Sequence, residues 1–147
     1  MSLDRLDQIA AALRQLPQTL AVATEQVVRQ NVAFLEDANT AQLAEGLDSK
    51  GQDIGPEYAP LTRSIKAAQG FNPDVVSLRD EGDFYTGIIA QIDTGSFELV
   101  GTDKKTPALV EKYGEDILGL AEADLNEFRD DYVRPELALK TREALGI

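Results

Sequence analysis

The sequence of 147 residues contains no cysteine and no histidine. Without thiols the chain forms neither disulfides nor thiolate metal sites. Without imidazole it lacks the commonest general base near neutral pH, and Ser-His-Asp and Cys-His catalytic arrangements are excluded within the chain. A chain of this length buries roughly 70% of its unfolded surface on folding, so it needs no metal or disulfide for stability. We therefore expect no catalytic residues, no cofactor and no metal.

Basic residues are scarce: 14 Lys and Arg stand against 26 Asp and Glu, which gives a formal net charge of −12. The acids are spread along the chain and do not form a tail. A negative field repels both nucleic-acid phosphates and anionic membrane surfaces. We therefore expect no direct nucleic-acid partner and no membrane partner, and solubility is the simplest reason for the charge.

Long apolar runs are also missing, because no stretch approaches the roughly 20 residues of a membrane helix. The first residues, Met1 to Arg5, lack the basic start and apolar centre of a secretory signal. We therefore expect a cytoplasmic protein, unless it leaves the cell inside a larger particle.

The N-terminal part, 1–46, is predicted to be helical. Residues 3–16 repeat apolar side chains at three- and four-residue spacing, and Pro17 is expected to break or restart the helix. The pattern then resumes to about Ala38. Asn39 or Thr40 is a candidate cap for a last short helix that Gly46 ends.

The middle part, 47–102, is rich in glycine and proline and predicts loops with short extended pieces. A brief helix is expected over 62–69. Its apolar residues Leu61, Ile65 and Ala68 are expected to face inward. Strands at 84–93 and 97–100, joined by the Asp93–Ser96 turn, are typical of a β-hairpin. Either a helix packs on this hairpin or further strands from 52–60 and 75–80 join it.

The C-terminal part, 103–147, is predicted to be helical again. Thr106-Pro107 can open a helix that Gly114 ends, and Ile117 to Leu120 form a short apolar plug. Residues 122–145 follow helical spacing, with Pro135 producing either a kink or two helices. Helices, then strands, then helices indicate an α+β fold, which we expect to form a single domain over 1–147.

The predicted first strand is apolar on both faces. Neighbouring strand residues point to opposite sides, so only one of Phe84 and Tyr85 can enter the core, and Ile88 and Ile89 pose the same problem. Such a strand needs cover on both sides, either from helices of the same chain or from another subunit. The candidate interface residues are Phe84, Tyr85, Ile88, Ile89, Tyr113, Ile117 and Leu118.

Acidic residues are dense between Glu115 and Asp131. At helical spacing Glu127 and Asp131 share one face, while Leu125, Phe128 and Tyr132 occupy another. This is how a solvated amphipathic helix is built, although a charged face that binds a basic partner has the same pattern.

From Asn39 to about Leu145, the order and spacing of several short motifs resemble a group of small proteins of tailed phages and prophages, found in gene clusters of Bacteroidetes-type bacteria. The matching positions are Asn39, Gln42-Leu43, Gly46, Asp48, Gly51, Ile54, Tyr58, Pro60, Thr62, Leu78, Asp80, Gly82 to Tyr85, Asp103, Lys105, Lys112 to Leu120, and Arg134 to Leu137. Glu81 stands where the group has threonine. The element Gly55 to Thr62 is similar to one of virion-morphogenesis and tail-completion proteins.

The resemblance implies a structural or assembly protein at the head–tail joint or tail terminus. Its partners would be itself, in a homo-oligomer such as a ring, and other virion proteins. It would be found in the bacterial cytoplasm during assembly and then in the virion. The alternative is an acidic cytoplasmic regulator or inhibitor that binds a basic protein surface, as a nucleic-acid mimic does. A carboxylate enzyme is a third hypothesis, and we expect no enzyme.

Overall fold

The computed structural model describes residues 2–93 and 95–147. The chain forms two compact units. Unit 1 comprises Met1–Asn31, Ile92–Phe97 and Asn126–Ile147, and unit 2 comprises Val32–Gln91 and Glu98–Leu125. N-terminal helices, a two-stranded antiparallel hairpin and C-terminal helices confirm the α+β class.

The helices and strands follow one another along the chain in this order: α1 Leu3–Gln30, α2 Val32–Ala44, α3 Pro60–Ala68, α4 Asp83–Thr86, β1 Ile88–Asp93, β2 Ser96–Gly101, α5 Thr106–Tyr113, a 3₁₀ turn Glu115–Ile117, α6 Glu122–Glu127, a π-helical segment Phe128–Val133, and α7 Arg134–Leu145. None of the helices in the described residues is long and apolar enough to span a membrane.

Helix α1 runs without a break through Pro17, so the predicted break there is wrong. The side chain of Ser2 caps its start by accepting a hydrogen bond from the amide of Arg5 at 3.2 Å. A proline inside a helix costs about 3 kcal/mol, and packing of α1 against α7 offsets that cost. The helix ends instead at Asn31, whose side-chain amide donates to the carbonyl of Val27 at 2.8 Å.

Unit 1 is a pair of helices with a small aromatic cluster. Helix α1 packs on α7, and the ring of Phe128 stacks on Tyr132 at 5.5 Å and meets the edge of Phe97 at 6.2 Å. Pro135 lies in the first turn of α7, directly after the π-helical segment. The wider π turn avoids the clash that a proline ring makes with a preceding α-helical turn. Helical structure therefore continues from 122 to 145, rather than dividing at Pro135.

Unit 2 is organised by two buried amides of α2. Asn39 donates to the carbonyl of Ile117 and accepts from the amide of Gly119, both at 3.0 Å. One turn later Gln42 donates to the carbonyl of Gly119 at 3.2 Å and accepts from the amide of Ala121 at 2.9 Å. The two side-chain amides of α2 thus satisfy backbone groups of the segment 117–121, which runs from the last residue of the 3₁₀ turn to the start of α6. Asn39 is therefore a fully buried mid-helix residue. Thr40 also lies inside α2, so the prediction that Asn39 or Thr40 caps a last short helix is wrong.

The hairpin starts later than predicted. Residues 84–86 belong to the short helix α4, so Phe84 and Tyr85 do not alternate across a strand. From Ile88 onward the alternation is as expected, with Ile88 buried and Ile89 exposed. Helix α2 supports the strand, because Glu36 Oε1 accepts from the amide of Ala90 at 3.0 Å. The sheet has two strands, and in the described residues 52–60 and 75–80 add none to it.

Helix α3 forms close to the predicted residues, but its apolar side faces solvent and not the core. Leu61 is 73% exposed and Ile65 is 48% exposed, while Lys66 is only 7% exposed. The prediction that Leu61, Ile65 and Ala68 face inward is therefore wrong, since Ala68 is exposed as well. Unit 2 buries the lysine stem and presents the aliphatic side of this helix to solvent.

Candidate functional site

The segment 77–79 of unit 2 is held by hydroxyl groups from two aromatic side chains. The hydroxyl of Tyr85 donates to the carbonyl of Ser77 at 2.6 Å. The hydroxyl of Tyr58 accepts from the amide of Leu78 at 3.0 Å. Leu78 has φ +59, a left-handed conformation that a leucine adopts only when its surroundings enforce it. The two tyrosines supply part of that enforcement.

A buried lysine bonds the next carbonyl of the same segment. Lys66 Nζ donates to the carbonyl of Arg79. The ammonium also lies 5.5 Å from the ring centroids of Tyr58 and Phe71. Burial lowers the pKa of Lys66, and the nearby Asp80 carboxylate opposes that change. Carbonyl and ring contacts therefore replace the water that the ammonium loses.

Both tyrosines resist ionisation. Burial raises the pKa of Tyr85 to about 12, against the opposing effects of the Arg79 charge and of the Ser77 side chain. Burial also raises the pKa of Tyr58. Hydroxyls of this kind remain protonated near neutral pH, so they serve as hydrogen-bonding groups that hold the backbone.

These residues border a cleft of ≈ 360 Å³ that lies wholly within unit 2. We call it the α3 cleft. Its lining consists of Tyr58, Thr62, Ile65, Lys66, Gln69, Leu78, Asp80, Glu81, Gly82, Asp83, Phe84, Tyr85, Lys105, Leu109 and Tyr113. An ion pair between Lys105 Nζ and Asp80 crosses part of this lining at 3.5 Å. The cleft therefore combines aromatic walls with one ion pair and the further acidic residues Glu81 and Asp83.

The aliphatic side of α3 borders this cleft. Ile65 contributes to the lining and Leu61, one turn earlier on the same helix, is the more exposed of the two. We call Leu61 and Ile65 the α3 face. The α3 face therefore adjoins the aromatic lining of the cleft at Ile65.

The predicted interface residues are divided between the core and the surface. Phe84, Ile88 and Ile117 are buried within unit 2. Tyr85, Tyr113 and Leu118 are half-buried. Of the seven, Ile89 is the exposed one. The structure brings Phe84, Tyr85 and Tyr113 together in the lining of the α3 cleft.

Sequence reasoning missed the α3 face and Lys66. The helical spacing of Leu61 and Ile65 was visible, but periodicity states only that a helix has an apolar side, not where that side points. The signal that could have reversed the prediction was Lys66, which has two aromatic residues, Tyr58 and Phe71, within eight positions on either side.

The acidic residues of 115–131 are partly neutralised by neighbours. Asp116 pairs with Lys50 at 3.1 Å, and Asp130 pairs with Arg129 at 3.1 Å and Arg134 at 3.2 Å. The hydrogen bond from Arg129 lowers the pKa of Asp130. Within residues 2–93 and 95–147, no three acidic side chains converge closely enough to hold a metal ion.

Many motif positions of the phage-type resemblance have structural roles in unit 2. Asn39 and Gln42 bond the 117–121 segment, and Tyr58 and Tyr85 bond the 77–79 segment. These roles explain why such residue types suit their positions. No family model matches the sequence, and neither a curated protein nor a solved structure shows significant similarity to the chain.

Proposed function

We propose that this protein is a structural or assembly subunit of a tailed phage or prophage, and that it works through contacts with copies of itself and with other virion proteins. The resemblance suggests the setting, which is the head–tail joint or tail terminus. The exposed aliphatic face of α3 supports the mode of action. In this proposal the chain assembles in the bacterial cytoplasm and is then incorporated into the virion.

The orientation of α3 carries the proposal. An amphipathic helix that serves only its own domain turns its apolar side to the core, because each buried Å² of apolar surface contributes about 25 cal/mol. Here Leu61 and Ile65 are left in solvent while Lys66 is desolvated. That arrangement costs stability in the monomer, and the cost is recovered when a partner covers the face.

The occupant we propose for the α3 face is a neighbouring copy of this chain. A contact between two different patches of identical subunits is repeated at every subunit and closes into a ring when the rotation permits. Each subunit carries a net charge of −12, so identical subunits repel one another. Salt screens this repulsion, and self-association should therefore strengthen as ionic strength rises.

Sedimentation velocity with purified protein over a wide concentration range tests this proposal. Leu61→Asp and Ile65→Asp should reduce the sedimenting mass, because each places a charge in the centre of the contact. Leu125→Asp is the matched control, since Leu125 is also an exposed leucine of unit 2 but lies on α6. Equal masses for all four proteins at every concentration would rule out self-contact through α3.

Salt dependence separates the proposal from the acidic regulator. A regulator that binds a basic protein surface loses affinity as salt is added, whereas self-association of acidic subunits becomes stronger.

Mass spectrometry tests the proposed setting: it should detect the chain in purified particles released after prophage induction of the host. Particles that lack it would remove the virion assignment.

A further inference from the structure

The first half of α1 carries an apolar stripe that its own unit leaves uncovered. Leu3, Leu6 and Leu13 are 79%, 49% and 52% exposed. With half-buried Ala10 they alternate at spacings of three and four residues, which is the a/d repeat of a coiled coil. We call these four residues the α1 stripe. In a pairwise helix contact, side chains at this spacing form the seam.

The α1 stripe differs from the side of α1 that packs within unit 1. Ala23 and Val27 are buried, and Leu16 and Ile9 are half-buried on the same side, about two and about four turns before Ala23. At 100° per residue, this packed side lies about a quarter turn from the stripe. A second helix placed on the stripe would also cover Ile9 and Leu16 further, so the new contact would extend the packed side.

The charges beside the stripe favour one orientation of that second helix. With Leu3 at position a, Asp7 and Arg14 both occupy position e, on the edge away from the packed side. Both are exposed, and in the part of the chain that the structure describes neither takes part in an ion pair.

An antiparallel copy brings position e against position e of its partner. Asp7 of each copy then meets Arg14 of the other, and the two-fold axis produces this pair twice. A parallel copy would instead place position e against position g. The g positions Ser2, Ile9 and Leu16 carry no charge.

We infer that the α1 stripe is a self-association site, at which a second copy of this chain packs its own α1 in the antiparallel direction. Ala10 of one copy lies against Leu13 of the other, a small residue against a large one. This inference rests on the proposed function, self-contact, but it uses a different surface from the α3 face. The antiparallel pairing of α1 makes the chain a two-fold symmetric dimer, and these dimers associate further through the α3 face.

Analytical ultracentrifugation of the full chain and its variants tests the inference. Leu6→Glu and Leu13→Glu should each raise the dimer dissociation constant about tenfold or more, because each change removes a buried leucine from both copies and places a charge in the seam. Val22→Glu is the matched control: Val22 is an exposed apolar residue of α1 on the far side from the stripe. Circular dichroism establishes that each variant keeps its helix content.

Charge reversal tests the direction of pairing. Asp7→Arg and Arg14→Asp should each weaken the dimer about three- to tenfold, and the double variant should restore it, because the e–e′ pairs are then rebuilt with exchanged signs. A dimer that neither single reversal weakens, or that the double variant fails to restore, would overturn the antiparallel arrangement.

The α1 and α3 variants test the two contacts independently. If Leu61→Asp lowers the mass while Leu6→Glu and Leu13→Glu do not, the α1 site is wrong and the proposed function stands. If the α1 variants dissociate the dimer while both α3 variants leave the mass unchanged, the α1 site stands and the α3 contact is wrong. If no variant changes the mass, both are wrong.

Discussion

Unit 2 closes its core around buried polar side chains, whereas unit 1 packs two helices with few buried residues. In unit 1 the buried apolar residues are Ala23, Val27, Val28 and Phe128, and the other buried apolar residues of the described chain lie in unit 2. Asn39, Gln42 and Lys66, the buried polar residues that bond loop backbone, lie in unit 2 as well.

The buried polar side chains give unit 2 a more sharply defined backbone than the helix pair of unit 1. Buried amides and hydroxyls specify one backbone arrangement, because any other leaves polar groups without hydrogen bonds in a region without water. Unit 2 therefore presents the α3 cleft in a defined shape. A helix pair with a thin core gains more from added apolar contact, and the exposed stripe of α1 offers it.

The largest expected difference between the units comes from one asparagine in each. Asn39→Leu leaves the carbonyl of Ile117 and the amide of Gly119 without partners, and we expect a loss of about 4 kcal/mol in the free energy of unfolding, from two orphaned groups at about 2 kcal/mol each. Asn31→Leu removes one local bond to Val27 and should cost about 1 kcal/mol. Urea denaturation measures both. Equal losses would contradict the contrast between buried and local amides.

The hydroxyl of Tyr85 should make the stability of unit 2 depend on pH. Folding raises the pKa of Tyr85 from 10.0 to about 12, so the folded state holds the proton more tightly than the unfolded state. Its contribution is complete below pH 10 and is lost as pH rises toward 12. Over that window we expect the wild type to lose about 2 kcal/mol more than Tyr85→Phe.

Lys66 has the opposite effect on the free energy of unfolding as pH rises. Folding lowers its pKa, so its deprotonation relieves the cost of a buried charge. It is present in both proteins, so the difference between wild type and Tyr85→Phe isolates the tyrosine. Stability curves of the two proteins that remain parallel above pH 10 would show that the hydroxyl of Tyr85 is not protected by folding.

The smallest expected effect lies in unit 1. Arg5 donates to the carbonyls of Leu145 and Gly146 at 3.1 and 3.0 Å, and thereby ties the start of α1 to the end of α7. A cation at a helix C-terminus contributes about 0.3–1 kcal/mol. Arg5→Ala should therefore change global stability by less than about 1 kcal/mol while amide hydrogen exchange quickens in the last turn of α7. Unchanged exchange there would show that the contact does not order the helix end.

Local chemistry made several elements predictable. Helix α5 begins at Thr106-Pro107, as expected for a proline in a first turn, and ends before Gly114 at φ +95, a conformation suited to glycine. The end of α2 near Gly46, at φ +75, follows the same reasoning. These features depend on the residue itself and its nearest neighbours, so the sequence shows them directly.

Errors arose where tertiary contacts outweighed local preference. Pro17 did not end α1, because packing on α7 outweighs the lost hydrogen bond. The preference of asparagine and threonine for helix ends predicts a cap at Asn39 or Thr40, but the partners of Asn39 lie in the 117–121 segment, far along the chain. Phe84 and Tyr85 were placed in a strand by composition, although α4 forms there. The candidate cleft was predictable only in part, through Phe84, Tyr85 and Tyr113.

The α+β class, the acidic character and the lack of thiol and imidazole groups can be read from composition and local turn chemistry alone. The burial of Lys66, the exposure of Leu61 and the solvent-facing leucine stripe of α1 emerge only once the chain is folded. An apolar periodicity defines a side of a helix, but the neighbours that cover that side, or leave it in solvent, come from distant parts of the chain.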